Sequence, residues 1–151
     1  MSRKKAREIA LHLIFEMSFQ ERTAEELLAE QLDEEIMHSI AGDIALYAGK
    51  LTDSESEYII STVKGVAAHR EELDTTIAEY ARGWSMKRLS KMTTALLRLA
   101  LYEMRYVEDV PVGAAINEAV ELAKTYESEE AGAFINGILG TIGRAEGAPE
   151  Q

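Results

Sequence analysis

The sequence predicts an all-α protein of two packed antiparallel helical sub-bundles, about seven helices in total. Three observations carry this prediction. Apolar residues recur at three- and four-residue steps along most of the chain. The stretch from 92 to 106 is apolar on more than one side, as expected of a helix enclosed by others. Helix-starting patterns, a Ser or Thr followed by acids, precede several of these stretches, and Pro or Gly follows others.

The first helix is expected over residues 3 to 19, with Ser2 as its N-cap. Ala6, Ile9, Ala10, Leu13 and Met17 line one face, and Leu11, Ile14 and Phe15 add a second in the later turns. The helix is therefore buried on two sides at its far end and solvent-facing at its start. Arg3, Lys4, Lys5 and Arg7 cluster at that start. Cations there oppose the helix dipole at about 0.3–1 kcal/mol each, so a chain tuned for stability alone would place acids instead. Two readings follow: a phosphate-binding arm beside unpaired helix N–H groups, or a solvated basic start.

Thr23 to Glu26 forms a capping-box pattern for a second helix ending near Leu32. Residues 33 to 50 suggest a short helix broken near Gly42 or Gly49. Ser54 to Glu57 reads as another capping box, opening a long helix through Ile59, Val63, Val66, Leu73, Ile77 and Tyr80. Its stripe is interrupted at Arg70, and Gly83 suits its C-terminus. Trp84 reads as a packing anchor between sub-bundles, beside the small basic group Lys87, Arg88 and Lys91.

The central helix carries Leu96, Leu97, Leu99, Ala100, Leu101 and Met104, and Asp109-Val110-Pro111 ends it. Pro111 suits the start of the next helix, which bears Val112, Ile116, Val120 and Ala123. Ser128 is placed to cap the last helix, with Glu129 and Glu130 in its first turn. Phe134, Ile135, Ile138, Leu139 and Ile142 continue its stripe, and Gly137 and Gly140 are expected to allow close helix approach. The sub-bundles are drawn at about 1–83 and 84–143, with 144–151 as a flexible tail.

Composition narrows the function. The chain has 151 residues, 46% of them hydrophobic, and no cysteine, so disulfides and thiolate chemistry are excluded. No apolar run reaches the roughly 18 residues of a membrane span, and no signal peptide is read, which makes the cytoplasm the working location. The net charge of −11 argues against a surface that coats nucleic acid throughout. That charge is uneven: net +2 over residues 1–20, −10 over 21–74 and −3 over 75–151.

No motif points to an enzyme. There is no phosphate-binding Gly-rich loop with Lys-Ser/Thr and no HExxH, and His12, His38 and His69 lack ligand spacing. Asp33, Glu34 and Glu35 point in different directions on a helix and complete no metal site. Glu103 and Glu118 are the carboxylates expected to be buried, paired with Arg98 or Arg105 rather than working as an acid–base dyad. No catalytic residue, metal or cofactor is expected.

The series LLRLALYEM, VP, AINEAVELAKTY and FINGILG closely resembles the transcription antitermination factor NusB family, and KKAREIALHLIFEM and the stretch from Trp84 to Leu89 fit it as well. The resemblance runs from about Ser2 to Ile142 and implies a non-catalytic RNA-binding factor. By that resemblance the chain pairs with NusE, a small-subunit ribosomal protein, and binds a boxA-like single-stranded RNA. It would thereby join the transcription elongation complex and promote read-through, notably of ribosomal RNA operons. The resemblance favours the RNA reading of Arg3, Lys4, Lys5 and Arg7. By pattern alone Phe134 is core; by resemblance it lies near the RNA surface, which Lys124 and Tyr126 extend. Glu127 stands where the family usually has glycine, and Ala133 lacks a basic side chain that some members carry. With Glu129 and Glu130 these departures make the local field acidic. The alternatives are a protein-only helical adaptor and a homodimer on the same fold, each with little RNA binding.

Overall fold

A computed structural model describes residues 3–17, 52–81 and 89–147. Every element among them is a helix: α1 Arg3–Met17, α2 Asp53–Ala68, α3 Arg70–Tyr80, α4 Lys91–Tyr106, α5 Val112–Tyr126 and α6 Glu129–Ala145. The chain divides into two compact units, Met1–Ala67 and Ala68–Gln151. The expected helix from Thr23, the one within 33–50, the Ser2 cap, Gly83, Trp84, Lys87 and Arg88 lie outside the described residues.

In the first unit, α1 buries Ala6, Ile9, Ala10, Leu11, Leu13 and Ile14, so both expected apolar faces are used. The start of α2 differs from the expected capping box by two residues. Thr52 Oγ1 accepts from Glu55 N at 3.1 Å, and Glu55 Oε1 accepts from Thr52 N at 2.9 Å. This reciprocal pair satisfies two donors that a helix start leaves open, which Ser54 and Glu57, one to four positions into the helix, cannot reach. α2 then buries Tyr58, Ile59, Val63 and Val66.

The single long helix expected to run towards Gly83 is two helices. His69 separates them, with φ −104° and ψ 10°, and Leu73 N still donates to its carbonyl at 2.9 Å. The break falls beside Arg70, where the apolar stripe also fails. It lets an exposed Arg70 precede buried Leu73 and Ile77.

The second unit is built around α4, which touches α3, α5 and α6. Its residues from Thr93 to Leu101 are all buried. A helix with neighbours on three sides buries even its polar positions, so Arg98 and Glu103 lie inside with its leucines. Ser90 caps it, accepting from Thr93 N at 3.0 Å. Pro111 is the N-cap of α5, and its carbonyl accepts from Ala115 N at 3.0 Å, so its missing N–H costs nothing. Ser128 caps α6 as expected, accepting from Ala131 N at 3.1 Å.

Two glycine assignments need correction. Gly137 has nothing within 4 Å of where a Cβ would stand, and Gly140 meets only Arg144 of its own helix. The close approaches are at Gly132, against Lys124, and at Gly143, against Val112 and Met104. α6 continues to Ala145, past the expected boundary at 144, and Gly147 follows it with φ +81°, the left-handed stop that glycine favours.

Candidate nucleic-acid interface

The residues expected to meet RNA fall into two sets, one in each unit. On α1, Lys4 is exposed and Lys5 half-buried, while Arg7 is only 6% exposed. Arg7 shares a helix face with Leu11 and Ile14, so its position follows the apolar stripe rather than the basic start. Sequence reasoning grouped it with the solvent-facing cations; the structure withdraws it from solvent. Of Arg3 only the backbone is described. The first turn of α1 holds no acid, so the helix dipole there is opposed by cations, as the sequence implied. Further along, burial pushes the His12 imidazole below its ordinary range, partly offset by Glu8.

The second set stands where α5 ends and α6 begins. The connection is short: Glu127 N and Ser128 N both donate to the Ala123 carbonyl, at 2.8 and 3.0 Å. Lys124 lies in the last turn of α5, where a cation suits the helix dipole. Its Nζ is 3.8 Å from Glu121 Oε1 and 3.9 Å from Glu129 Oε2. These are long, solvent-screened pairs worth little energy, so an incoming phosphate competes with them easily. Tyr126 and Phe134 are half-buried. Phe134 sits about a turn and a half into α6, at the rim of the buried face made by Gly132, Ile135, Leu139 and Ile142.

The departure at Glu127 has a local structural use. Ser90 Oγ donates to Glu127 Oε1 at 2.6 Å while accepting from Thr93 N. Glu127 therefore ties the α5–α6 junction to the start of α4, and one of its oxygens is engaged there. Glu129 and Glu130 remain exposed in the first turn of α6.

A different polar cluster, absent from the sequence reading, lies among α3, α4 and the end of α6. Arg105 donates to Glu72 Oε2 at 2.9 Å, to Thr76 Oγ1 at 2.9 Å and to both oxygens of Glu146. The Tyr106 hydroxyl donates to both oxygens of Glu72, at 2.8 and 2.7 Å. That bond is the main reason the Glu72 carboxyl is held below, and the Tyr106 hydroxyl above, its ordinary value. The His69 ring stacks on Tyr106, with centroids 4.3 Å apart, and Tyr102 lies 5.2 Å from Tyr106. The one local signal for this cluster was the turn-spaced pairs His69–Glu72 and Tyr102–Tyr106. Arg105 is already matched by two carboxylates, so the cluster reads as a clasp between helices.

Arg98 and Arg105 do take carboxylate partners, but other ones than Glu103 and Glu118 were expected to provide. Arg98 binds Asp74 through Nε at 2.7 Å and Nη2 at 2.9 Å. Glu103 is buried as anticipated, at 1% exposed, while Glu118 is half-buried. Among the described residues no group of three or more His, Asp or Glu could hold a metal ion, and no helix is long and apolar enough to cross a membrane.

The described residues define a helical protein with basic and aromatic side chains at helix ends. The chain belongs to the NusB family, whose model matches residues 4–144. It is 43% identical to the transcription antitermination protein NusB of Acetivibrio thermocellus, over 94% of this chain and 88% of that protein. It is 41% identical to the NusB of Symbiobacterium thermophilum, over 99% and 97%. Among solved structures, T. maritima NusB superposes with a TM-score of 0.81 at 31% identity, covering 99% of this chain and 94% of that one. A chain from a crystal structure of the antitermination factors NusB and NusE in complex with double-stranded RNA gives 0.76 at 26% identity, covering 95% and 96%.

Proposed function

We propose that this chain is a non-catalytic transcription antitermination factor of the cytoplasm. With NusE it binds a boxA-like single-stranded RNA and, within the transcription elongation complex, promotes read-through of ribosomal RNA operons. The observation that carries this reading is the family match over residues 4–144. It is supported by the likeness to a chain solved together with NusE and RNA.

The physical division of labour follows from the two sets of side chains. Lys4 and Lys5, at the start of α1, contact phosphates as point charges, a contact that holds the strand without reading its sequence. Lys124 adds a phosphate contact at the end of α5. Phe134 and Tyr126 supply ring faces for unstacked bases, the usual way single-stranded RNA is recognised. Arg7, at 6% exposed, presents little of its side chain to a strand. The acids Glu121, Glu129 and Glu130 oppose unselective RNA binding, so a basic partner such as NusE completes the positive field.

The test is ultraviolet cross-linking of the NusE-bound protein to a labelled boxA-like RNA, with the linked peptides mapped. Links at Tyr126 or Phe134, together with the α1 peptide, are expected. Links confined to NusE would instead mean a protein-only adaptor.

A further inference from the structure

We propose that Gly132 is a positioning residue for RNA binding: the space left by its missing side chain holds the stem of Lys124 and so fixes where the ammonium is presented. The inference rests on the reading of Lys124 as a phosphate contact.

Gly132 closes the first turn of α6, its N–H donating to the carbonyl of the N-cap Ser128 at 3.1 Å. Glycine within a helix is disfavoured against alanine, so its presence there asks for a reason. A Cβ at this position would stand 3.1 Å from Lys124 Cγ, 3.5 Å from Lys124 Cε and 3.4 Å from the Val120 carbonyl oxygen. Both ends of the Lys124 stem therefore lie along the notch.

The other glycines of α6 show that this is specific. Among the described residues, a Cβ at Gly137 would meet nothing within 4 Å, one at Gly140 would meet an arginine of its own helix, and one at Gly143 would face the apolar groups of Val112, Met104 and Ile116. Only Gly132 receives the stem of a charged residue from another helix. With the stem laid there, Nζ comes within 4 Å of carboxylates on both α5 and α6. An added methyl group would crowd Lys124 Cγ at 3.1 Å, so the stem would have to give by a few tenths of an ångström and leave the path along the notch that fixes the ammonium.

The test compares Gly132→Ala, Lys124→Ala, the double variant and Gly137→Ala, each bound to NusE and titrated with boxA-like RNA across a range of salt. Loss of one phosphate contact to a single strand lowers the slope of log K against log salt by about 0.7. Gly132→Ala and Lys124→Ala are both expected to show that loss with several-fold weaker binding. The double variant should bind like Lys124→Ala, and Gly137→Ala like the unaltered protein. A normal slope for Gly132→Ala beside a reduced one for Lys124→Ala would overturn the inference and leave the Lys124 contact standing. A normal slope for Lys124→Ala would remove the contact and the inference together. Should Gly132→Ala fail to fold, the unaltered protein still decides the matter. Its NMR spectrum should show a nuclear Overhauser effect between the Lys124 γ-protons and the Gly132 α-protons, and its absence would refute the notch.

Discussion

Arg98 is a charged residue in the buried run of α4, 7% exposed between Leu97 and Leu99. It is tolerated because Asp74 of α3 meets its guanidinium with two parallel hydrogen bonds, the fork geometry lysine cannot offer. Replacing Arg98 with methionine fills similar volume but leaves the Asp74 carboxylate, 28% exposed, with only water and the long 3.9 Å pair to Arg70 in place of the fork. The expected cost is about 2–3 kcal/mol, measured by urea denaturation. The double variant Arg98→Met/Asp74→Leu should recover much of that loss, since the stranded charge is gone. The need for a partner was legible in the sequence; the partner was not. Asp74 is 24 positions earlier, on the helix before α4, so no local spacing links it to Arg98. Arg7 teaches the same lesson in reverse. Its charge suggested exposure, while its phase on α1, four before Leu11, decided its burial.

At the scale of elements, termini and junctions carry most of what the pattern left open. Helix interiors were legible because their stripes repeat: most of the apolar residues the periodicity picks out on α1, α4 and α6 are buried, while Phe15, Met17 and Met104 are half-buried. Caps depend on which single oxygen reaches which N–H, so the α2 box moved to Thr52–Glu55 and the Ser90 cap went unread. Ser128→Ala should cost about 1 kcal/mol by thermal or urea unfolding. Ser90→Ala should cost more, because it also removes the hydrogen bond to Glu127 that ties the α5–α6 junction to α4.

The clasp among α3, α4 and α6 predicts a pH dependence. The Glu72 carboxyl is held below its ordinary 4.5, chiefly by the Tyr106 hydroxyl, against an opposing effect of burial and with help from His69 and Arg105. In the unfolded chain it titrates near its ordinary value. Its contribution is therefore fully present above pH 4.5 and is lost as pH falls through the lower folded value. The Tyr106 hydroxyl is raised above 10 by the same bond, so its contribution is present below pH 10 and lost as pH rises through the folded value. A melting-temperature profile should be flatter on its acid limb for Glu72→Gln than for the unaltered protein. Identical acid limbs would remove the clasp from the stability account.

For the whole molecule, the governing fact is a net charge of −11 on a chain proposed to bind RNA. At long range such a body repels a polyanion, and contact depends on a few cations and on charge brought by a partner. The all-helical class and the family were legible because motifs recur in order along nearly the full length. The interface was less so: sequence could nominate Arg3, Lys4, Lys5, Arg7, Lys124, Tyr126 and Phe134 but not the notch at Gly132, which exists only once α5 meets α6.

The most direct test of RNA contact through these cations is the salt dependence of boxA-like RNA binding by the NusE complex. It should be measured for the unaltered chain and for the triple variant Lys4→Ala/Lys5→Ala/Lys124→Ala. Three lost phosphate contacts should reduce the slope of log K against log salt by about 2. An unchanged slope and affinity in the triple variant would contradict the account, because RNA would then be held by other groups.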